Sequence, residues 1–295
     1  MFKRIFLLFL LAFFFTFHAT HHRVNHIKLK YYKFIQRFKN FMIDVHCHLE
    51  QKDFENDLEQ VIEKAKAQGI KAIITCSADI KDFEKGLEIV KKFKNYVFLT
   101  ASVHPIHVPE YSDDEIKEFL EKLRKNRKYI VGIGETGLDY YWVKDPEQRE
   151  RQKKVFLWHI ELAKELSLPL IIHSREASSD TVKILEQVCY DKVLWHFFGD
   201  KSLVEWMIKN KYKASFNTFL LKSKTHKKIV KALPLELILL ETDAPWLGFG
   251  KRNEPISIIK VAEKIAEVKK LSFEEVWHKC GENAKEFFNL ELKPS

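Results

Sequence analysis

From Met42 onward the chain alternates short apolar runs with longer stretches of helical periodicity, and this alternation decides the fold class. The runs are Met42–Cys47, Lys71–Cys76, Val97–Val103, Tyr129–Gly134, Pro169–His173, Val193–His196, Tyr212–Phe216 and Leu237–Glu241. They are rich in Ile, Val and Leu, as expected of strands in a parallel sheet covered on both faces. Between them, stretches such as Asp53–Gln68, Lys81–Lys94, Asp113–Asn126 and Glu147–Leu166 place apolar residues three and four apart, with charges on the remaining face. Pro146 marks a helix start and Gly69 a helix end. Eight such units predict an α/β fold, a closed TIM (β/α)8 barrel, rather than an open doubly wound sheet. Ile256–Lys269 and Ser272–Asn289 would complete the outer ring of helices. The phosphate-loop pattern GxxxxGK[ST] is absent.

Residues 1–41 differ in character from the rest. Lys3-Arg4 leads into apolar Ile5–Phe17. That run resembles a signal-peptide core and falls short of the roughly 20 residues a bilayer-crossing helix needs. The segment from His18 to Asn40 is basic and aromatic, with no convincing cleavage site. An export signal, a membrane anchor and a leader translated from a start set too early compete here. Met42, immediately before the first run, favours the leader. The expectation is therefore a 1–41 extension and one barrel over 42–295, cytoplasmic, with membrane association or export only if the extension functions.

The extension also dominates the charge. It carries eight Lys or Arg and no acid, so of the formal net charge of +9 only +1 belongs to residues 42–295. Net charge therefore gives no support to a general nucleic-acid-binding surface, and any such role must be argued from a site. The four cysteines, Cys47, Cys76, Cys189 and Cys280, form no CxxC pair and read as reduced thiols, with Cys76 and Cys189 expected to be buried.

Chemistry-bearing residues fall at the ends of the predicted strands. His46 and His48 are two apart on the first, so both would project into the barrel mouth. Glu135 follows the fourth, His173 closes the fifth, His196 closes the sixth and Asp243 follows the eighth. Barrel active sites are built at this C-terminal face. A lone His there is more often a hydrogen-bonded core or surface residue, but six converging imidazoles and carboxylates without a partner would be costly to bury. The set suits two divalent cations drawn from zinc, manganese, iron and cobalt, with magnesium possible through the carboxylates.

DVHCHL (44–49), GETGLDYY (134–141), LPLIIHSREA (168–177), the run from Leu237 to Leu247 containing Glu241-Thr242-Asp243-Ala244-Pro245-Trp246, and KRNEP (251–255) resemble the successive signatures of the TatD family of metal-dependent hydrolases, within the amidohydrolase superfamily. ENAKEFFNL (282–290) also fits. The resemblance implies a deoxyribonuclease, of 3′–5′ exonuclease type, that cleaves DNA phosphodiester bonds by two-metal water activation. It implies that His46, His48 and Asp243 hold one cation and His173 and His196 the other, with Glu135 bridging them and Asp243 accepting a proton from the attacking water. It places His104 near the substrate and makes Arg175, Asp139 and Arg252 candidates for phosphate contact or for support of the ligands. Trp246 and Tyr141 are candidates for stacking on a base. The family's HCFSG reads His196-Phe197-Phe198-Gly199-Asp200 here, and its second His after His104 is shifted to His107. His159 is expected to be a surface substitution. Two alternatives stay open: a hydrolase of an amide, lactone or aminoacyl ester, and a catalytically silent binding module.

Overall fold

A computed structural model describes residues 41–292, so the expectations for residues 1–40 lie outside the described residues. Eight parallel strands form a near-closed barrel in chain order, β1 (Met42–Cys47), β2 (Ile70–Ser77), β3 (Val97–Ala101), β4 (Ile130–Asp139), β5 (Leu170–Arg175), β6 (Val193–Trp195), β7 (Lys213–Phe216) and β8 (Ile238–Leu240). The helices between them are α1 (Leu58–Ala67), α2 (Phe83–Lys92), α3 (Asp113–Lys125), α4 (Pro146–Leu166), α5 (Ser178–Val188), α6 (Val204–Asn210) and α7 (Lys224–Ala232), with α8 (Ile258–Lys269) and α9 (Phe273–Phe288) after β8. Among the described residues no helix is long and apolar enough to cross a membrane. The seam between β8 and β1 is closed at the mouth by backbone bonds: Asp243 N–H donates to His46 O at 2.9 Å, and His48 N–H to Ala244 O at 2.7 Å.

Helix ends carry chemistry that fits these boundaries. Ser112 and Ser272 each form a capping box with a Glu three residues on, at the starts of α3 and α9. Asp145 caps α4 just before Pro146. Gly69 follows α1 with φ 83°, as its C-terminal position requires.

Ile43, Val45, Ala72, Ile74, Ile171, Leu194 and Leu239 pack together as one cluster drawn from β1, β2, β5, β6 and β8, which is the barrel's apolar filling. A larger cluster lies between strands and helices. On β1 the ladder with β2 shifts register between Asp44 and Cys47. That irregularity lets inward-facing Val45 be followed directly by His46 in the mouth.

Three expectations change on contact with the structure. Glu135 does not follow β4 but sits within it, because the strand continues to Asp139 through Gly134 (φ 149°) and Gly137 (φ 140°). A Cβ at either glycine would lie 2.4 Å or less from a carbonyl of β5, so only glycine lets the two strands run on together. The run Gly132-Ile-Gly-Glu-Thr-Gly137 has GxGxxG spacing, yet it lies inside a strand and not at a strand-to-helix turn, so it forms no dinucleotide loop. Cys189, expected to be buried, is exposed, for it is the left-handed residue that ends α5 beyond its last core-facing turn. His159, expected at the surface, is wholly buried in α4: its Nε2 accepts from Val103 N–H at 3.1 Å and its Nδ1 lies 2.8 Å from Val155 O.

Candidate metal centre

Strand alternation and the barrel's curvature bring His46, His48, Glu135, His173, His196 and Asp243 together at the mouth, along with His104. His46 Nε2 and His48 Nε2 are 3.1 Å apart. Asp243 Oδ1 lies 3.8 Å from the first and 3.6 Å from the second. Glu135 Oε2 is 3.3 Å from His46 Nε2, while Glu135 Oε1 is 2.6 Å from His173 Nδ1, 3.4 Å from His104 Nε2 and 3.5 Å from His196 Nε2. Each oxygen of Glu135 thus faces a different part of the cluster. His196 sits between the parts, its ring centroid 4.0 Å from that of His46.

The rings are held from behind. His48 Nδ1 is 2.8 Å from Cys76 O, which fixes a proton on Nδ1 and turns Nε2 inward. His196 Nδ1 is 2.8 Å from Glu241 Oε2. Glu241, fully buried, also accepts from Ser215 Oγ, Asn217 Nδ2 and Phe197 N–H. His173 Nε2 is 2.9 Å from Asp139 Oδ2, and the same carboxylate accepts from Trp142 N–H through Oδ1 at 2.7 Å. Two imidazole nitrogens at 3.1 Å beside two carboxylates call for a positive charge among them. A divalent cation fits that donor set.

Electrostatics agree. Burial opposes ionisation of Glu135, but the imidazoles, His196 and His104 foremost, outweigh it and hold the carboxyl well below its usual range. Asp243 is likewise lowered, burial being overcome by His48, His196 and His46. Burial opposes protonation of His196, yet Glu241 and Glu135 push its pKa up to about 10. His104 is the opposite case: burial and the neighbouring His173 take it down to about 4, so it is neutral. Its Nδ1 accepts from Ile106 N–H at 3.2 Å, which places the proton on Nε2, the nitrogen that faces the cluster. His104 is therefore a hydrogen-bond donor into the mouth.

The cavity above the cluster has a volume of about 1160 Å³. Arg175 lines its rim, with its guanidinium carbon 3.8 Å from the centroid of Tyr141, and Trp246 stands half-exposed with its ring 4.5 Å from His48. Arg252, expected at a phosphate, is instead committed to a bidentate pair with Asp57 at 2.6 and 2.7 Å and a contact with Glu254, which ties α1 to the segment after β8. His107 pairs with Glu110 at 2.6 Å and stays outside the cluster. Where the family's Ser would stand, a Cβ at Gly199 would meet the His226 ring at 3.2 Å, so that loop has yielded to packing of Phe197 and Phe219 on His226. Sequence reasoning missed Glu241, Cys76 and His226. Glu241 was within reach, since alternation from inward-facing Leu239 points it inward as well.

Imidazoles and carboxylates converging on the C-terminal mouth of a parallel eight-stranded barrel, with second nitrogens held from behind, define a metal-dependent hydrolase. The family described as TatD related DNase matches residues 43–289. The chain is 36% identical over 259 residues to the uncharacterized metal-dependent hydrolase YabD of Bacillus subtilis, covering 84% of this chain and 99% of that one. It is 35% identical over 258 residues to human deoxyribonuclease TATDN3, covering 84% and 94%. Among solved structures, the TatD homolog YJJV of Escherichia coli K12 superposes with a TM-score of 0.78 at 26% identity, covering 86% and 100%. The chain belongs to the TatD family of metal-dependent hydrolases.

Proposed function

We propose that the protein is a deoxyribonuclease that hydrolyses DNA phosphodiester bonds from the 3′ end, working in the cytoplasm with two divalent cations at the barrel mouth. The observation that carries this reading is the divided use of Glu135, with one oxygen toward His46 and the other toward His173, His104 and His196. His46, His48 and Asp243 would hold one cation, His173 and His196 the other, and Glu135 would join them. When bound, such a pair supplies an activated water and neutralises charge on the phosphate oxygens.

The chain's own residues do the rest. Asp243, held below its usual pKa among three imidazoles, stays ionised and takes the proton from the attacking water. His104 donates its Nε2–H to a phosphate oxygen and, being neutral, needs no protonation to do so. Arg175, stacked on Tyr141 at the rim, offers a fixed positive charge to the incoming backbone. Glu241 and Asp139 keep His196 and His173 oriented.

The test is hydrolysis of end-labelled single-stranded DNA and of an activated phosphodiester by the chain purified over 42–295, before and after chelation. Activity that vanishes with chelator, returns with divalent cation and removes the 3′ label first supports the reading. Cleavage of amides, lactones or aminoacyl esters in place of phosphodiesters would overturn it, as would full loading with metal and no hydrolysis at all.

A further inference from the structure

One buried side chain at the cluster has no part in the chemistry above. Cys76 ends the inward-facing row of β2, above Ala72 and Ile74, and is fully buried. Its backbone oxygen lies 2.8 Å from His48 Nδ1. Its Sγ accepts from Glu135 N–H at 3.0 Å and donates to Gly134 O at 3.2 Å. The residue thus touches the ring of His48 and the backbone that carries Glu135. One ligand atom each from His46, His48 and Cys76 lie within 4.8 Å of one another.

A buried free cysteine most often acts as a small apolar filler. Cys47 is such a residue: among the described residues its side chain's polar contact is a long one, from Sγ to Ile74 O at 3.7 Å. Two observations set Cys76 apart. One is that its sulfur already receives a backbone N–H, the contact a thiolate needs. The other is its grouping with the His46 and His48 imidazoles, which, among the described residues, neither Cys47 nor Cys280 shares.

We propose that Cys76 Sγ is a further protein ligand of the cation held by His46, His48 and Asp243, and that this soft donor gives the position a preference for thiophilic cations over magnesium. The proposal rests on the two-cation reading. On binding, the S–H bond breaks, its proton leaves to the buffer, and a sulfur lone pair is shared with the cation. The thiol gives up its bond to Gly134 O and keeps the one from Glu135 N–H, which the negative charge strengthens.

Cobalt(II) tests this directly, because sulfur bound to it produces an intense near-ultraviolet charge-transfer absorption that nitrogen and oxygen donors lack. The metal-free chain is loaded with cobalt(II), its cobalt content measured and its spectrum recorded, alongside Cys76→Ser, Cys76→Val and Cys47→Ser. The expected result is a charge-transfer band in the wild type and in Cys47→Ser, its loss in both Cys76 variants, and at least a tenfold weaker zinc affinity in those variants with magnesium affinity unchanged. Circular dichroism checks that the variants are folded; Cys76→Val fills the volume if the serine variant is not. Cobalt bound to the wild type without the band, or a band that survives in Cys76→Ser, overturns the ligand role and leaves the two-cation reading standing. A wild type that binds no cobalt at all defeats the two-cation reading itself.

Discussion

The two sides of the metal centre are built differently. On the β1–β8 side, His46, His48 and Asp243 are pinned by the barrel seam: Asp44, fully buried, accepts from Thr242 N–H at 3.0 Å and Thr242 Oγ1 at 2.6 Å, and the chain after β8 bonds back to His46 O. On the β3–β5 side, His173 is held by Asp139, whose second oxygen accepts from Trp142 N–H. Trp142 is 64% exposed, in the loop where Tyr141 lies under Arg175. The first side is fixed by the core, while the second is wired to the exposed rim of the mouth.

The largest expected effect tests whether the halves are one centre. Glu135 turns one carboxylate oxygen to each half, so Glu135→Ala should lower turnover by at least about a thousandfold and reduce metal content at both positions. His196→Ala should retain about one ion per chain. If Glu135 merely braced β4, its loss would cost only about 1 kcal/mol of stability and leave the metal in place. Metal stoichiometry and diesterase rate on these two variants decide between the accounts, and an active, fully loaded Glu135→Ala protein would end the bridging assignment.

The next effect tests the asymmetry. His46→Ala and His173→Ala should both abolish most activity, yet only the first should also lower stability, by about 1–3 kcal/mol in the metal-free protein, because it opens a hole in the sealed side. The His173 side chain is 17% exposed and loses less. Equal melting temperatures for the two metal-free variants would contradict the division drawn above.

Smaller again is the link between His173 and the surface loop. Asp139→Asn keeps the shape but weakens the hold on His173 Nε2, and should reduce activity about 10–100-fold, as such supporting partners do. Trp142 fluorescence should shift in the same variant, since its backbone contact is to the same carboxylate. A rate loss with unchanged fluorescence would leave the ring's orientation intact as a cause but break the proposed wiring to the loop.

Much of this architecture was legible in the sequence because period and position carried it. All eight strands were placed, several to within a residue or two, since continuous apolar runs between helical stretches leave a parallel barrel as the simplest packing. The seven residues now gathered at the mouth were all singled out beforehand, six as ligands and His104 as a substrate contact. What escaped depended on contacts across the barrel. Glu241 reads as the polar end of an apolar run until folding sets it against His196. Cys76 reads as filler until folding sets its sulfur against Gly134 and Glu135 of β4. Arg252 was assigned by motif, but the pairing that commits it to Asp57 spans 195 residues of sequence. The extent of β4 past Glu135 was hidden because two glycines inside a strand look like a break, whereas here they admit the close approach of β5.

His159 offers the mildest test, and a way to probe the β3–β5 side from outside the metal centre. It joins α4 to the segment leading into His104, with Nε2 accepting from Val103 N–H and Nδ1 donating to Val155 O. Both bonds require the neutral ring. Burial, with no carboxylate nearby to oppose it, lowers the pKa to about 4 from an ordinary value near 6.5. Below 6.5 the unfolded chain therefore takes up a proton that the folded chain refuses until about pH 4, so stability is full above 6.5 and falls as pH drops through that window. The loss approaches about 3 kcal/mol at the acid end. His159→Gln retains an acceptor for Val103 and a donor for Val155 without titrating. Its stability at pH 7 should lie within about 1 kcal/mol of wild type, and it should overtake wild type as the pH falls toward 4. Denaturant unfolding of the two metal-free proteins across this range gives the difference curve directly. Parallel curves would show that His159 is not the neutral strut that holds His104's side of the mouth.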